Sequence, residues 1–185
     1  MGDLVAWAAG LAGAKLAEVL PRRWAHTQGV GSSAGVAGQL FSVDDGELLV
    51  GAALLHDIGY APNLASTGFH SLDSARYLRE VGGPDRLVNL VAHQSCATAE
   101  AEVRGLSGEL AEFEGERTPL RDALWWADMT TTPGGGVMKV AERVREIQSR
   151  YHSDDLVSRF MQRVRDDLNA AVERTERRLE AAGTA

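Results

Sequence analysis

A single cysteine, Cys96, is all the thiol that this 185-residue chain carries. No internal disulfide can form, and the composition suits a reducing interior. Long apolar runs are absent too, none approaching the roughly 20 residues that a membrane-spanning helix needs. Positive charge is in deficit: 19 Lys and Arg against 26 Asp and Glu leave a net charge of -7. That balance argues against a nucleic-acid polymer or an anionic membrane surface as partner. It does not exclude a small phosphorylated ligand, because a local cation outweighs a distant field. The N-terminus has Asp3 where a signal peptide wants Lys or Arg, Lys15 interrupts its apolar stretch, and Ala6 stands where an acylation motif wants Ser or Thr. A cytoplasmic location is expected. No internal repeat, low-complexity tract or convincing alternating strand is found. What remains is 44% hydrophobic and 24% charged sequence, ordinary for one globular domain spanning 1–185.

The stretch Ala52-Ala53-Leu54-Leu55-His56-Asp57-Ile58-Gly59-Tyr60 stands out. An apolar run ends in two adjacent groups that both bind divalent metals. A carboxylate in the interior is costly unless something pairs with it, and a metal ion is one of few adequate partners. The dipeptide alone says little, since composition would give about 0.3 His-Asp pairs by chance. Its weight depends on other donors arriving at suitable places.

Helical periodicity runs through the chain. Leu4, Trp7, Leu11 and Leu16 predict a first helix ending near Pro21, and His26, Val30, Ala34 and Ala37 a second from Arg22 to Leu40. Gly29, Gly31, Gly35 and Gly38 weaken that helix intrinsically and suggest a neighbour at close approach. Asp44-Asp45-Gly46 reads as a turn and N-cap before a helix from Glu47 to Ile58, with Gly59 as its C′ residue. A loop over 61–69 leads to a helix opened by His70, and Pro84-Asp85 starts another that reaches His93. Residues 97–117 are acidic and read as a solvated helix and loop, a lid or an interface. Thr118–Asp128 is a buried helix ending in a carboxylate, followed by a loop with Thr130, Thr131 and Thr132. Val137–Arg150 is amphipathic, and Asp154 to about Glu180 is the longest helix, with Leu156, Phe160, Val164, Leu168, Val172 and Leu179 on one face. The expected fold is all-α.

Four of five histidines, His26, His56, His70 and His93, fall in separate predicted helices or at their ends. Asp57 and Asp128 close apolar helical runs. Packed helices can aim such side chains at one point. Imidazoles with a few carboxylates suit iron, manganese, cobalt, nickel or zinc better than calcium or magnesium alone. His152 lies outside the pattern, and Cys96 is a small bland residue.

The order His26 … His56-Asp57 … Asp128 resembles the metal signature of the HD superfamily of metal-dependent phosphohydrolases, and Ala-Leu-Leu-His-Asp-Ile-Gly resembles its second motif. His70 and His93 match the two further histidines of the binuclear branches. The resemblance covers roughly His26 to Asp128. It implies an HD-domain helical bundle with a metal-binding core over about 22–128 and C-terminal helices over about 137–182. It implies two divalent transition-metal ions: one on His26, His56 and Asp128, the other on His70 and His93, with Asp57 bridging. His56 and Asp57 would be central to catalysis. The compact spacing resembles short bacterial members more than the cyclic-dinucleotide phosphodiesterases, which carry Lys where this chain has Tyr60.

The implied chemistry is hydrolysis of a phosphate ester of a small molecule, a nucleotide being the leading expectation, by a metal-activated hydroxide. Arg22 and Arg23, one turn before His26, and Lys139, Arg143 and Arg150 after Asp128 are the candidate phosphate contacts. Two other readings share the ligands: a mixed-valence di-iron oxygenase, and a non-catalytic metal- or nucleotide-binding module. The sequence allows a homodimer without requiring one.

Overall fold

The computed structural model describes residues 3–140, 142, 143, 145 and 156–184. Among them the chain forms nine α-helices: α1 Asp3–Leu16, α2 Pro21–Gly38, α3 Val43–Leu55, α4 His70–Glu80, α5 Asp85–Ala92, α6 Ala97–Arg104, α7 Ser107–Leu110, α8 Pro119–Met129 and α9 Leu156–Ala182. Two 3-10 turns, Ile58–Tyr60 and Gln94–Cys96, punctuate them. Extended pairing in this set is limited to a bridge between Thr131 and Val137. The all-α expectation holds, and no helix among these residues is long and apolar enough to cross a membrane. Half of the amphipathic stretch expected over Val137–Arg150 lies outside the described residues, as does His152.

The central helix is α3, which contacts α1, α2, α5 and α8. Neighbours on several sides explain why Leu48, Leu49, Gly51, Ala52, Ala53, Leu54 and Leu55 are all buried, where a surface helix would bury one stripe. Small residues set the spacing to α2. A Cβ on Gly46 would sit 3.1 Å from the Gly38 carbonyl oxygen, and one on Gly31 would sit 2.8 Å from Leu54. This corrects the reading of Asp44-Asp45-Gly46 as a turn. Those residues lie inside the first turns of α3, capped by Ser42, whose hydroxyl accepts from the Asp45 N–H. Asp44 and Asp45 still fit there, since acids suit a helix N-terminus. Gly59 is likewise no left-handed cap. It sits in the first 3-10 turn, where a Cβ would lie 2.2 Å from the His70 carbonyl oxygen.

The acidic segment is strapped to its surroundings. Glu112 pairs with Arg76 and Arg79 of α4 and Glu116 with Arg86, which also holds Asp45, while Glu100 pairs with Arg104 within α6. The exposed pairs among these contribute about 1 kcal/mol or less each.

Helix α9 buries Val164, Leu168, Ala171, Val172, Thr175 and Leu179, a stripe at helical spacing that packs on α8. Beside it, buried Asp122 of α8 accepts two hydrogen bonds from Arg174 at 2.7 and 3.0 Å and one from Arg121 at 2.6 Å. Asp122→Asn is expected to lower stability by about 1–2 kcal/mol near neutral pH, read by urea denaturation. Burial pushes the Asp122 carboxyl up, but the arginines outweigh it and hold it below the usual range. Its contribution is therefore complete above the unfolded value of about 3.9 and lost as pH falls through the lower folded value. The wild-type and variant curves should converge in acid.

Candidate metal centre

His26 lies in the second turn of α2 and is buried. Its Nδ1–H donates to the Thr132 carbonyl at 3.0 Å. That carbonyl belongs to the loop after α8, pressed onto α2 where two glycines meet. A Cβ on Gly29 would lie 2.3 Å from the Gly135 oxygen, and Gly135 itself has φ +86°. Any side chain at either position would lift the loop off His26.

His56 caps the C-terminus of α3. Its Nδ1–H donates to the Ala53 carbonyl at 2.7 Å, and its Nε2 is buried with no hydrogen-bond partner. In both histidines a main-chain carbonyl takes the Nδ1 proton and leaves Nε2 to serve as the electron-pair donor. Both Nε2 atoms face one carboxylate oxygen: Asp128 Oδ1 is 3.2 Å from His26 and 4.0 Å from His56. One donor atom from each of the three residues falls within 4.8 Å of the others. Ligands about 2.0–2.2 Å from a common ion lie within that range of each other. Two lone pairs and a carboxylate repel unless a cation or proton stands between them. The donor set and the orphaned Nε2 thus fit a divalent metal.

Charge shifts report the same crowding. Burial pushes Asp128 up, yet the His26 hydrogen bond and the field of His56 hold it far below the usual carboxylate range. Burial lowers His26, but the hydrogen bond to Asp128 outweighs it and the net shift is upward. A divalent metal held here by His26, His56 and Asp128 would take the place of that proton.

Asp57 sits beside the trio. Its Oδ2 is 3.5 Å from His56 Nε2 and accepts from Arg23 Nη1 at 2.5 Å, while Oδ1 is 3.5 Å from His70 Nε2. Burial raises its carboxyl, but His56, Arg23 and His70 hold it well below the usual range. Burial lowers His70 against the pull of Asp57. Tyr60 links the two flanks, its ring stacked on His70 at 4.2 Å and under the Arg23 guanidinium at 3.4 Å.

Five of the six expected ligands therefore meet, and His93 does not. At the C-cap of α5 its ring turns toward the 113–115 segment, where Nε2–H donates to the Phe113 carbonyl at 2.9 Å and Nδ1 lies 3.5 Å from Thr98 Oγ1. Among the described residues His70 and His93, expected to share a second ion, fall in no common group of metal donors. Gln94 points inward instead, buried, donating to the His56 carbonyl at 2.6 Å. Ser95 follows, its hydroxyl on Asp128 Oδ2 at 2.5 Å. Sequence reasoning missed Gln94 and Ser95, and only their closeness to His93 could have pointed to them.

Of the candidate phosphate contacts, Arg22, Arg23 and Arg143 line one cavity of about 320 Å³ together with His26 and Pro133. Arg143 lies close enough to help hold the Asp128 carboxyl down. Lys139 is exposed and does not line this cavity. Arg150 lies outside the described residues.

Compared with known proteins, the chain matches the family model "HD domain" over residues 23–147, well over half its length and spanning all six expected ligands. No curated protein and no solved structure matches it.

Proposed function

The chain belongs to the HD-domain family, and from that premise we propose that it hydrolyses a phosphate ester of a small molecule, a nucleotide first among the candidates. Membership places it in a superfamily typified by metal-dependent hydrolases. The observation that carries the proposal is the orphaned Nε2 of buried His56, aimed with His26 Nε2 at Asp128 Oδ1 beside a cavity lined by three arginines.

His26, His56 and Asp128 would hold the ion, with Asp57 alongside. A bound divalent metal supplies Lewis acidity and brings the pKa of its water to around 7. The chain's own residues do the rest. The Ala53 and Thr132 carbonyls keep the imidazoles in the donating tautomer. The guanidinium groups of Arg22, Arg23 and Arg143 meet phosphate oxygens, a task for which their planar fork is suited. The cavity, about 320 Å³, is large enough for a phosphate and part of a sugar.

Anaerobic purification with metal analysis tests this, followed by a phosphate-release screen over nucleotides and sugar phosphates with Fe²⁺, Mn²⁺, Co²⁺ and Ni²⁺. Release of inorganic phosphate that stops on chelation is expected. Oxygen uptake with substrate and an EPR signal from a half-reduced di-iron pair would replace the proposal by the oxygenase reading. Tight nucleotide binding without turnover would replace it by a binding module.

A further inference from the structure

Among the described residues Ser95 is the one non-glycine with positive φ, at φ 40° and ψ 48°. That left-handed region favours glycine, so a side chain held there calls for a reason. The chain entering the turn is pinned twice: Gln94 donates to the His56 carbonyl at 2.6 Å, and Trp125 Nε1–H donates to the His93 carbonyl at 3.2 Å. Directly after those anchors the Ser95 hydroxyl donates to Asp128 Oδ2 at 2.5 Å. The other oxygen of that carboxylate, Oδ1, is the one facing His26 and His56.

We infer that Ser95 is a positioning residue for the metal centre: its hydroxyl locks the Asp128 carboxylate so that Oδ1 alone faces the two imidazoles, and the left-handed turn exists to aim it. The inference rests on the reading that His26, His56 and Asp128 hold a divalent ion. An Asp χ2 torsion is broad and nearly two-fold. Freed of Ser95, the carboxylate would rotate, and the ion would have to order it on binding. Hydrogen-bond partners of this kind change metal affinity by about 10–100-fold.

Ser95→Gly and Ser95→Ala separate positioning from structure, since both remove the hydroxyl but only glycine is at ease at positive φ. After chelation, each variant and the wild type is titrated anaerobically with Mn²⁺ and Fe²⁺ by calorimetry and melted without metal. Both variants should bind about tenfold or more weakly than wild type and equally so, while the metal-free glycine variant melts at or above the alanine variant. If affinity follows melting temperature instead, with Ser95→Gly binding like wild type, the turn is structural and the inference falls. A wild type that binds neither ion removes the centre itself, an outcome distinct from a failure confined to Ser95.

Discussion

His56→Ala should reduce phosphate release by about three orders of magnitude or more and leave the fold standing. A metal's share of transition-state stabilisation is several kcal/mol, each 1.36 kcal/mol being a factor of ten. His56 supplies the donor that nothing else satisfies, so its loss removes the ion at working concentrations. The structural cost is small by comparison. The Nδ1–H bond to Ala53 is lost, about 1 kcal/mol, while a buried unpartnered nitrogen disappears with it. Phosphate release, Mn²⁺ titration and urea denaturation on one preparation would show activity and metal affinity collapsing together at near-wild-type stability. His93→Ala is the matched control. Its ring bonds to Phe113 and faces Thr98, so metal affinity should survive. Turnover persisting in His56→Ala would remove the mechanism proposed here.

His93 also marks where the sequence stops being legible. Apolar periodicity located the helices, and the order of His and Asp residues identified the family, because both follow from what each residue is. Which way a residue faces at a helix end follows from terminal dihedrals that the chain does not spell out. His93 leaves α5 at φ -104° and ψ 23°, and Ser95, two residues on, is left-handed. That kink sends Gln94 inward and the histidine outward. Nothing in Ala-His-Gln-Ser discriminates the two outcomes in advance.

Glycines were misread for a related reason. Gly46 and Gly59 look like turn signals, yet both are places where backbones nearly touch, Gly46 against Gly38 and Gly59 against the start of α4. Small size and conformational freedom leave the same letter in the sequence. Arg23 shows the same ambiguity in a charged residue. Its place before His26 suggested a phosphate contact, and it does line the cavity, but its guanidinium also closes on Asp57.

That closure makes Arg23→Ala the most informative change after His56→Ala. Without metal, the substitution strands a buried carboxylate with imidazoles for company, His70 and His56 nearest. Breaking a buried pair costs about 3–5 kcal/mol. With the Arg23 side chain 30% exposed, about 2 kcal/mol is expected in denaturant melts of the chelated protein. Arg23→Lys keeps the charge but not the flat stack on Tyr60, and should fall between. Metal then distinguishes two roles for the pair. Any ion at about 100 times its Kd stabilises a folded site by about 2.7 kcal/mol, so a common gain decides nothing. If Asp57 turns to the ion when it binds, Arg23 competes for that carboxylate in the metal-free protein, and removing it should tighten Mn²⁺ binding while the apo form weakens. The variant would then recover more stability on metal addition than the wild type gains. Equal gains would mean that Asp57 serves Arg23 and His70 alone, leaving the ion to His26, His56 and Asp128. An unchanged metal-free stability would mean that the 2.5 Å contact contributes nothing, and that desolvating both groups has already cancelled their attraction.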